Sequence, residues 1–242
     1  VVKPIVADGT DERRWAAWSA PATWERLSLT FTGATAPLVV APHPDDEVLG
    51  VGGLLSMVDG AQVIVVTDGE ASHPGSRVYG RAELAAIRRA ETAAACQLLG
   101  VPRSDVHHLG QPDGAVDETS LTEVLCRRLR PGQWCLTTWR GDGHPDHEAV
   151  GRAAALACQH TGAVLLEFPI WAWHWAVPDA PEVPWHRARR VDLTEGARAA
   201  KARAINEFPS QILPLGPEPA DAAILPPNVL ARFARPYETV FI

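Results

Sequence analysis

Leu38-Val39-Val40-Ala41-Pro42-His43-Pro44-Asp45-Asp46-Glu47 is the stretch on which the fold turns. Its first four residues form a short apolar run closed by a proline turn, the pattern of a buried strand. The acids that follow Pro44 stand before Val48, Leu49 and Val51. There they read as a helix first turn, where carboxylates satisfy unpaired N–H groups and face the positive end of the dipole. The strand–turn–helix rhythm then repeats. Further strands are expected at Gln62–Thr67, Val106–Leu109, Trp134–Thr138 and Val164–Phe168, and helices at Asp46–Val58, Gly80–Leu99, Ser120–Leu129 and His147–Gln159. This alternation predicts βαβ units, hence a three-layer α/β/α sandwich around a mostly parallel, Rossmann-like sheet.

The flanks are less regular. Asp11–Ala20 suits a short helix capped by Thr10 and carrying Trp15 and Trp18, within an N-terminal extension (1–36) packed on the sheet. Pro169–Pro184 holds four prolines, with Trp171, Trp173 and Trp175, and reads as an ordered loop. A last helix is expected over Thr194–Glu207, before a proline-rich tail. The simplest organisation is one domain over 1–242, with 169–191 and 212–242 as loop elaborations and no internal repeats.

Composition excludes several classes. The 242 residues hold 22 Lys and Arg against 29 Asp and Glu, a net charge of −7, without the basic patch that nucleic acid or anionic lipid would require. No apolar run approaches the ~18 residues of a membrane span. Cys96, Cys126, Cys135 and Cys158 form no Cys-x-x-Cys pair and read as reduced, small buried hydrophobes, which fits a cytoplasmic location. The segment from Val1 lacks the basic and apolar regions of a secretory signal and begins without Met. The expected partner is a small molecule; assembly into homo-oligomers is compatible with the sequence.

Two clusters carry chemistry. In Pro42–Glu47 the helix-cap reading accounts for the acids and leaves His43 unexplained. His43 and Asp46, three apart across a turn, can converge on one cation, whereas Asp45 is rotated about 100° away and is free to handle protons. The second cluster, His144-Pro145-Asp146-His147-Glu148, follows the Gly141-Asp142-Gly143 turn after another strand, and so lies on the same sheet edge. Pro145 and Asp146 suit a helix start; two histidines at i,i+3 do not need one. One of them can ligate while the other stands beside the reacting group. Two histidines and a carboxylate around an open position is the ligand count of a catalytic zinc that keeps a water. Asp45 and His144 then serve as base and acid, with Asp146 holding a ring nitrogen of His144.

With these motifs the chain resembles the PIG-L/LmbE-like family of metal-dependent N-deacetylases, whose hallmark is (P/A)HPDD(E) followed by HPDH. The resemblance continues through Thr67-Asp68-Gly69-Glu70, Arg88-x-x-Glu91 leading to Leu99-Gly100, Pro112-Asp113-Gly114, Lys201 and Ser210-Gln211, over Leu38 to Gln211. It implies that His43, Asp46 and His147 bind Zn²⁺ (Fe²⁺ or another divalent ion being the alternative), that Asp45 is the general base, and that a protonated His144 assists the tetrahedral intermediate and the leaving amine. It further implies removal of an acetyl group from an N-acetylglucosamine-containing glycoside or glycoconjugate. One position departs: where the mycothiol branch carries Tyr before the Gly of GHPDH, this chain has Asp142. That weakens a mycothiol assignment and suggests Asp142 as a contact for a substrate hydroxyl.

Further substrate contacts are expected from Arg88, Asp68, Glu70 and Asp113 near strand ends, and from Trp171 and Trp173 as a stacking wall. Within the class, an amidase acting on a thiol conjugate or a natural-product intermediate is the alternative; outside it, a non-catalytic metal-stabilised binding module. Gly50-Val51-Gly52-Gly53 does not support a dinucleotide site, because G-x-G-x-x-G would need glycine where Leu55 stands.

Overall fold

The structure is a computed structural model that describes residues 8–29 and 36–242. The start at Val1 and parts of the 1–36 extension lie outside the described residues. In chain order the strands are β1 Glu25–Arg26, β2 Leu38–Ala41, β3 Gln62–Thr67, β4 Val106–Gln111, β5 Trp134–Thr138, β6 Val164–Phe168, β7 Ala188–Asp192 and β8 Tyr237–Phe241. The helices are α1 Glu12–Ala16, α2 Asp46–Leu55, α3 Arg81–Leu98, α4 Glu118–Arg128, α5 Pro145–Thr161, α6 Ala172–Trp175, α7 Glu195–Ile205, α8 Pro209–Ile212 and α9 Pro227–Leu230.

One eight-stranded sheet runs in the order β1-β7-β8-β6-β5-β2-β3-β4. All pairings are parallel except those of β8, which lies antiparallel between β6 and β7. Alternation along the central strands divides the core. Val39, Val63 and Val65 join Val48, Leu54 and Cys96 on the face covered by α2, α3 and α7, whereas Leu38, Val40, Ile64 and Val66 meet Leu121, Leu125 and Val150 of α4 and α5. Both faces are therefore buried, which is why the strands read as unbroken apolar runs. The chain builds outward from β2 through β3 and β4, then returns to β5 beside β2 on the other side. The loops after β2 and β5 diverge at that reversal, and open α/β sheets bind ligands in the crevice so formed.

The flanks differ from the sequence expectation. The segments 169–191 and 212–242, expected as loops, contribute α6, β7, α9 and β8. Asp11, not Thr10, caps α1, its Oδ1 accepting from Arg13 N; the Thr10 hydroxyl instead donates to Ala176 O. α2 ends at Leu55, three residues short of the expected Val58, and is broken at Val51 (φ −139°, ψ 21°). A buried ion pair fills the break: Glu238 accepts from Gly53 N (2.7 Å) and Leu54 N (2.8 Å), and Lys201 Nζ donates to Leu49 O (2.8 Å) and to Glu238 (2.7 Å). The backbone groups released by the kink are thus satisfied by β8 and α7, as buried polar groups must be.

Candidate metal centre

The loop after β2 delivers His43, Asp45 and Asp46. Asp46 Oδ2 lies 3.2 Å from His43 Nδ1 and 3.3 Å from His147 Nε2, the latter coming from the first turns of α5. Donor atoms around a tetrahedral ion with bonds of about 2.0–2.1 Å stand about 3.3–3.4 Å apart, so both separations suit one small divalent cation. A donor atom from each of His43, His144 and His147 also lies within 4.8 Å of the others, as does one from each of His43, Asp113 and Asp146.

The ring partners favour a cation between His43 and His147. His147 Nδ1 is 2.8 Å from Asp142 Oδ2, and its Nε2 is buried without a hydrogen bond, a lone pair aimed toward Asp46. His43 repeats the arrangement, with Nε2 3.1 Å from Asp146 Oδ2 and 3.3 Å from Asp113 Oδ1, leaving Nδ1 toward Asp46. Imidazoles backed by carboxylates are the usual supports of metal ligands. Electrostatics agree. Burial alone would raise Asp46, but His147 and His43 outweigh it and hold its carboxyl far below the usual range. Burial would lower His147, yet Asp46 and Asp142 push it up to about 9. A divalent ion answers this concentration of carboxylate charge in the same way as protonated rings.

Asp45 does not share the cation position. Its φ of 115° is a left-handed value rare outside glycine, a strain tolerated where the surroundings fix it. Glu47 Oε2 accepts from its N–H (3.1 Å), and Arg88 Nη2 donates to its Oδ2 (2.9 Å). Burial lifts Asp45 to about 7 against the opposing pull of Arg88, a value suited to taking up and releasing a proton near neutrality. Arg88 reaches Asp45 by crossing Gly69 (φ 63°), where a Cβ would meet Arg88 Nη1 at 1.7 Å; no larger residue fits there.

His144 caps α5, its Nδ1 accepting from Asp146 N (3.2 Å), so in the neutral ring the proton sits on Nε2. Burial first, then His147 and His43, push its pKa down to about 3. The protonated ring expected from the family resemblance is thereby corrected to a neutral Nε2–H donor. The expected Asp146 carboxylate contact to His144 is corrected as well: that carboxylate turns to His43 and to Gly114 N (2.8 Å), and only the backbone N–H of Asp146 serves His144.

The substrate expectations divide. A cavity of about 290 Å³ opens over these residues, and Arg88, Asp113 and Trp171 line it. Asp68 does not; it is paired with Arg89 and with His108 (3.1 Å). Glu70 acts from behind, accepting from Asp113 N (3.0 Å). Trp173 is buried under Arg235 and edge-on to Trp15. Asp142 is fully buried: it accepts from the backbone N–H groups of Ile170, Trp171 and Ala172 as well as facing His147, so it cannot meet a substrate hydroxyl. Its carbonyl takes the Trp175 indole N–H (2.6 Å), and the adjacent Gly143 (φ 89°) has no room for a Cβ beside that ring. Lining residues that sequence reasoning did not assign to the site include Leu49, Ser72, Ile224 and Leu225. Ser72 follows β3 and was reachable by the strand-end rule; Ile224 and Leu225 carry no local signal.

An α/β sandwich with imidazoles and carboxylates gathered at its topological switch point defines a class, proteins built to hold a cation in an open crevice. Residues 38–158 match the family described as PIG-L, GlcNAc-PI de-N-acetylase, and the chain belongs to it. Members of this family are metal-dependent hydrolases that act on N-acetyl amides. A probable N-acetyl-alpha-D-glucosaminyl L-malate deacetylase 2 of Bacillus cereus is 31% identical over 133 residues, 50% of this chain and 59% of that protein. A diacetylchitobiose deacetylase of Thermococcus kodakarensis is 28% identical over 134 residues, 52% of this chain and 50% of that protein. The chain thus spans between half and three-fifths of the length of these curated relatives. The structure of N,N'-diacetylchitobiose deacetylase from Pyrococcus horikoshii superposes with a TM-score of 0.58 at 22% identity, over 73% of this chain and 70% of that one, a likeness of fold. No helix among the described residues is long and apolar enough to cross a membrane.

Proposed function

We propose that this protein is a zinc-dependent hydrolase that removes the acetyl group from an N-acetylglucosamine-containing glycoside or glycoconjugate. The single observation that carries the reading is Asp46 Oδ2 flanked at 3.2 and 3.3 Å by His43 Nδ1 and His147 Nε2, with Asp45 beside it. In this reading His43, Asp46 and His147 hold the ion; two imidazoles and a carboxylate suit Zn²⁺, with Fe²⁺ the competing occupant. When bound, such an ion polarises the amide carbonyl and acidifies the attacking water. Asp45 takes the water's proton on Oδ1, since Arg88 occupies Oδ2. His144 donates from Nε2 to the oxygen that gains charge. Asp45 then returns its proton to the departing nitrogen, so acetate and a free amine leave together. One domain around the shared sheet, a small amino-sugar partner and a cytoplasmic setting, the last supported by four unpaired thiols, complete the proposal.

The test combines released amine with metal analysis. Zinc-loaded protein should liberate acetate and amine from N-acetylglucosamine glycosides. Replacing His43, Asp46 or His147 by Ala should empty the site, whereas Asp45→Asn and His144→Ala should retain zinc and lose ~10²–10⁴ in rate. Full zinc occupancy in the first three variants would overturn the ligand set.

A further inference from the structure

The cavity has two ends of different origin. The end bearing His43, Asp45, Asp46, Asp113, His144 and His147 lies wholly within the 38–158 family match. The opposite wall presents Leu49, Pro74, Ile170, Trp171, Ile224 and Leu225, and four of these six come from the chain beyond residue 158. That wall is anchored, not draped. Ile170 and Trp171 are held by their N–H groups on Asp142, and Leu225 N donates to Gln211 O (2.9 Å).

Charge along the lining is uneven. Among the described residues that line the cavity, Arg88 is the only Lys or Arg. It is 2% exposed, and its two terminal nitrogens are spent on Gly69 O, Pro44 O and Asp45 Oδ2. No other cationic side chain faces an incoming group there. A carboxylate or phosphate laid against the apolar wall would leave water without a charged partner, which is strongly unfavourable. An uncharged, partly apolar group would gain from the same burial, and an indole offers a flat face to a sugar or aryl ring.

We propose that this wall selects amino-sugar amides whose substituent at the glycosidic position is uncharged and partly apolar, and disfavours those carrying an anion there. The inference rests on the deacetylase reading and adds which substrates of that class fit. It separates this chain from the relatives named for N-acetylglucosaminyl L-malate, whose substituent is a dicarboxylate.

The experiment measures kcat/KM for amine release by the zinc-loaded full chain from the phenyl, methyl and L-malyl glycosides of N-acetylglucosamine. The expected order is phenyl, methyl, malyl, with phenyl ahead of malyl by at least about tenfold, the scale of an uncompensated buried charge. Ile224→Arg, at a half-buried wall position, should shift the phenyl-to-malyl ratio toward malyl by about tenfold. Trp171→Ala, whose backbone N–H bond to Asp142 is retained, should bring phenyl down toward methyl. Malyl turnover equal to or above phenyl in the unmodified protein overturns the selectivity, and ratios unmoved in both variants overturn its assignment to this wall. Amine release from none of the three overturns the deacetylase reading instead.

Discussion

Asp142 shows how much of a site is set by one side chain that never meets substrate. A single carboxylate accepts from three consecutive N–H groups after β6 and fixes the Nδ1 proton of His147, so it links the position of a proposed ligand to the wall of the cavity. Asp142→Asn keeps the volume but turns an amide N–H toward donors; zinc affinity, measured by chelator competition, should fall 10–100-fold. Glu47 presents the opposite case, a fully buried acid with Oε1 unbonded, lifted by burial and then by Asp45 to about 8. A folded-state pKa above the unfolded value of 4.5 stabilises the fold at low pH and loses that stabilisation as pH rises toward 8. In chelator, unfolding free energy should therefore drop with a Glu47 share on the order of 1.4 kcal/mol per pH unit across that window, and Glu47→Gln should flatten the slope. An unchanged slope in denaturant titrations at pH 5 to 8 would contradict the burial argument. The HPDD and HPDH residues were legible in sequence because their chemistry is local, acids and imidazoles three apart at a helix start. Asp142 was misread because its partners lie 28 to 30 residues away, and spacing carries no record of them.

At the level of elements, the central strands β2, β3, β5 and β6 match the sequence reading end to end, since fully buried parallel strands must be continuous apolar runs. β7 and β8 escaped it. Ala188–Asp192 carries two arginines and an aspartate, and Tyr237–Phe241 carries an internal acid, within proline-rich surroundings that resemble connectors. The acid in β8 is the reason the strand is there: Glu238 and Lys201 repair the break at Val51 in α2, the helix that begins beside the site. Glu238→Ala would strand the Lys201 ammonium and two backbone N–H groups in the core. It should cost about 3–5 kcal/mol, read as a lower denaturant midpoint, while Glu238→Leu combined with Lys201→Met should recover part of that loss. Equal stability of the Ala variant and the unmodified chain would show the pair to be dispensable.

Taken as a whole molecule, the sheet joins two βα assemblies whose loops separate at the β2–β5 reversal, and the proposed ion is bound by both: His43 and Asp46 from the first, His147 from the second. An unfolded chain cannot bring together ligands about a hundred residues apart, so the ion binds the folded state alone and its affinity adds directly to folding stability. At a hundredfold excess of free Zn²⁺ over the dissociation constant, that linkage amounts to about 2.7 kcal/mol. The midpoint of unfolding should therefore climb with Zn²⁺ concentration in the unmodified protein and in Asp45→Asn, which leaves the ligands in place. His147→Ala and Asp46→Ala should have midpoints that no longer respond. Because the ligands come from opposite sides of the reversal, the gain should appear in a single cooperative transition monitored by the tryptophans; an ion held by one loop alone would stabilise only part of the sheet and broaden or split it.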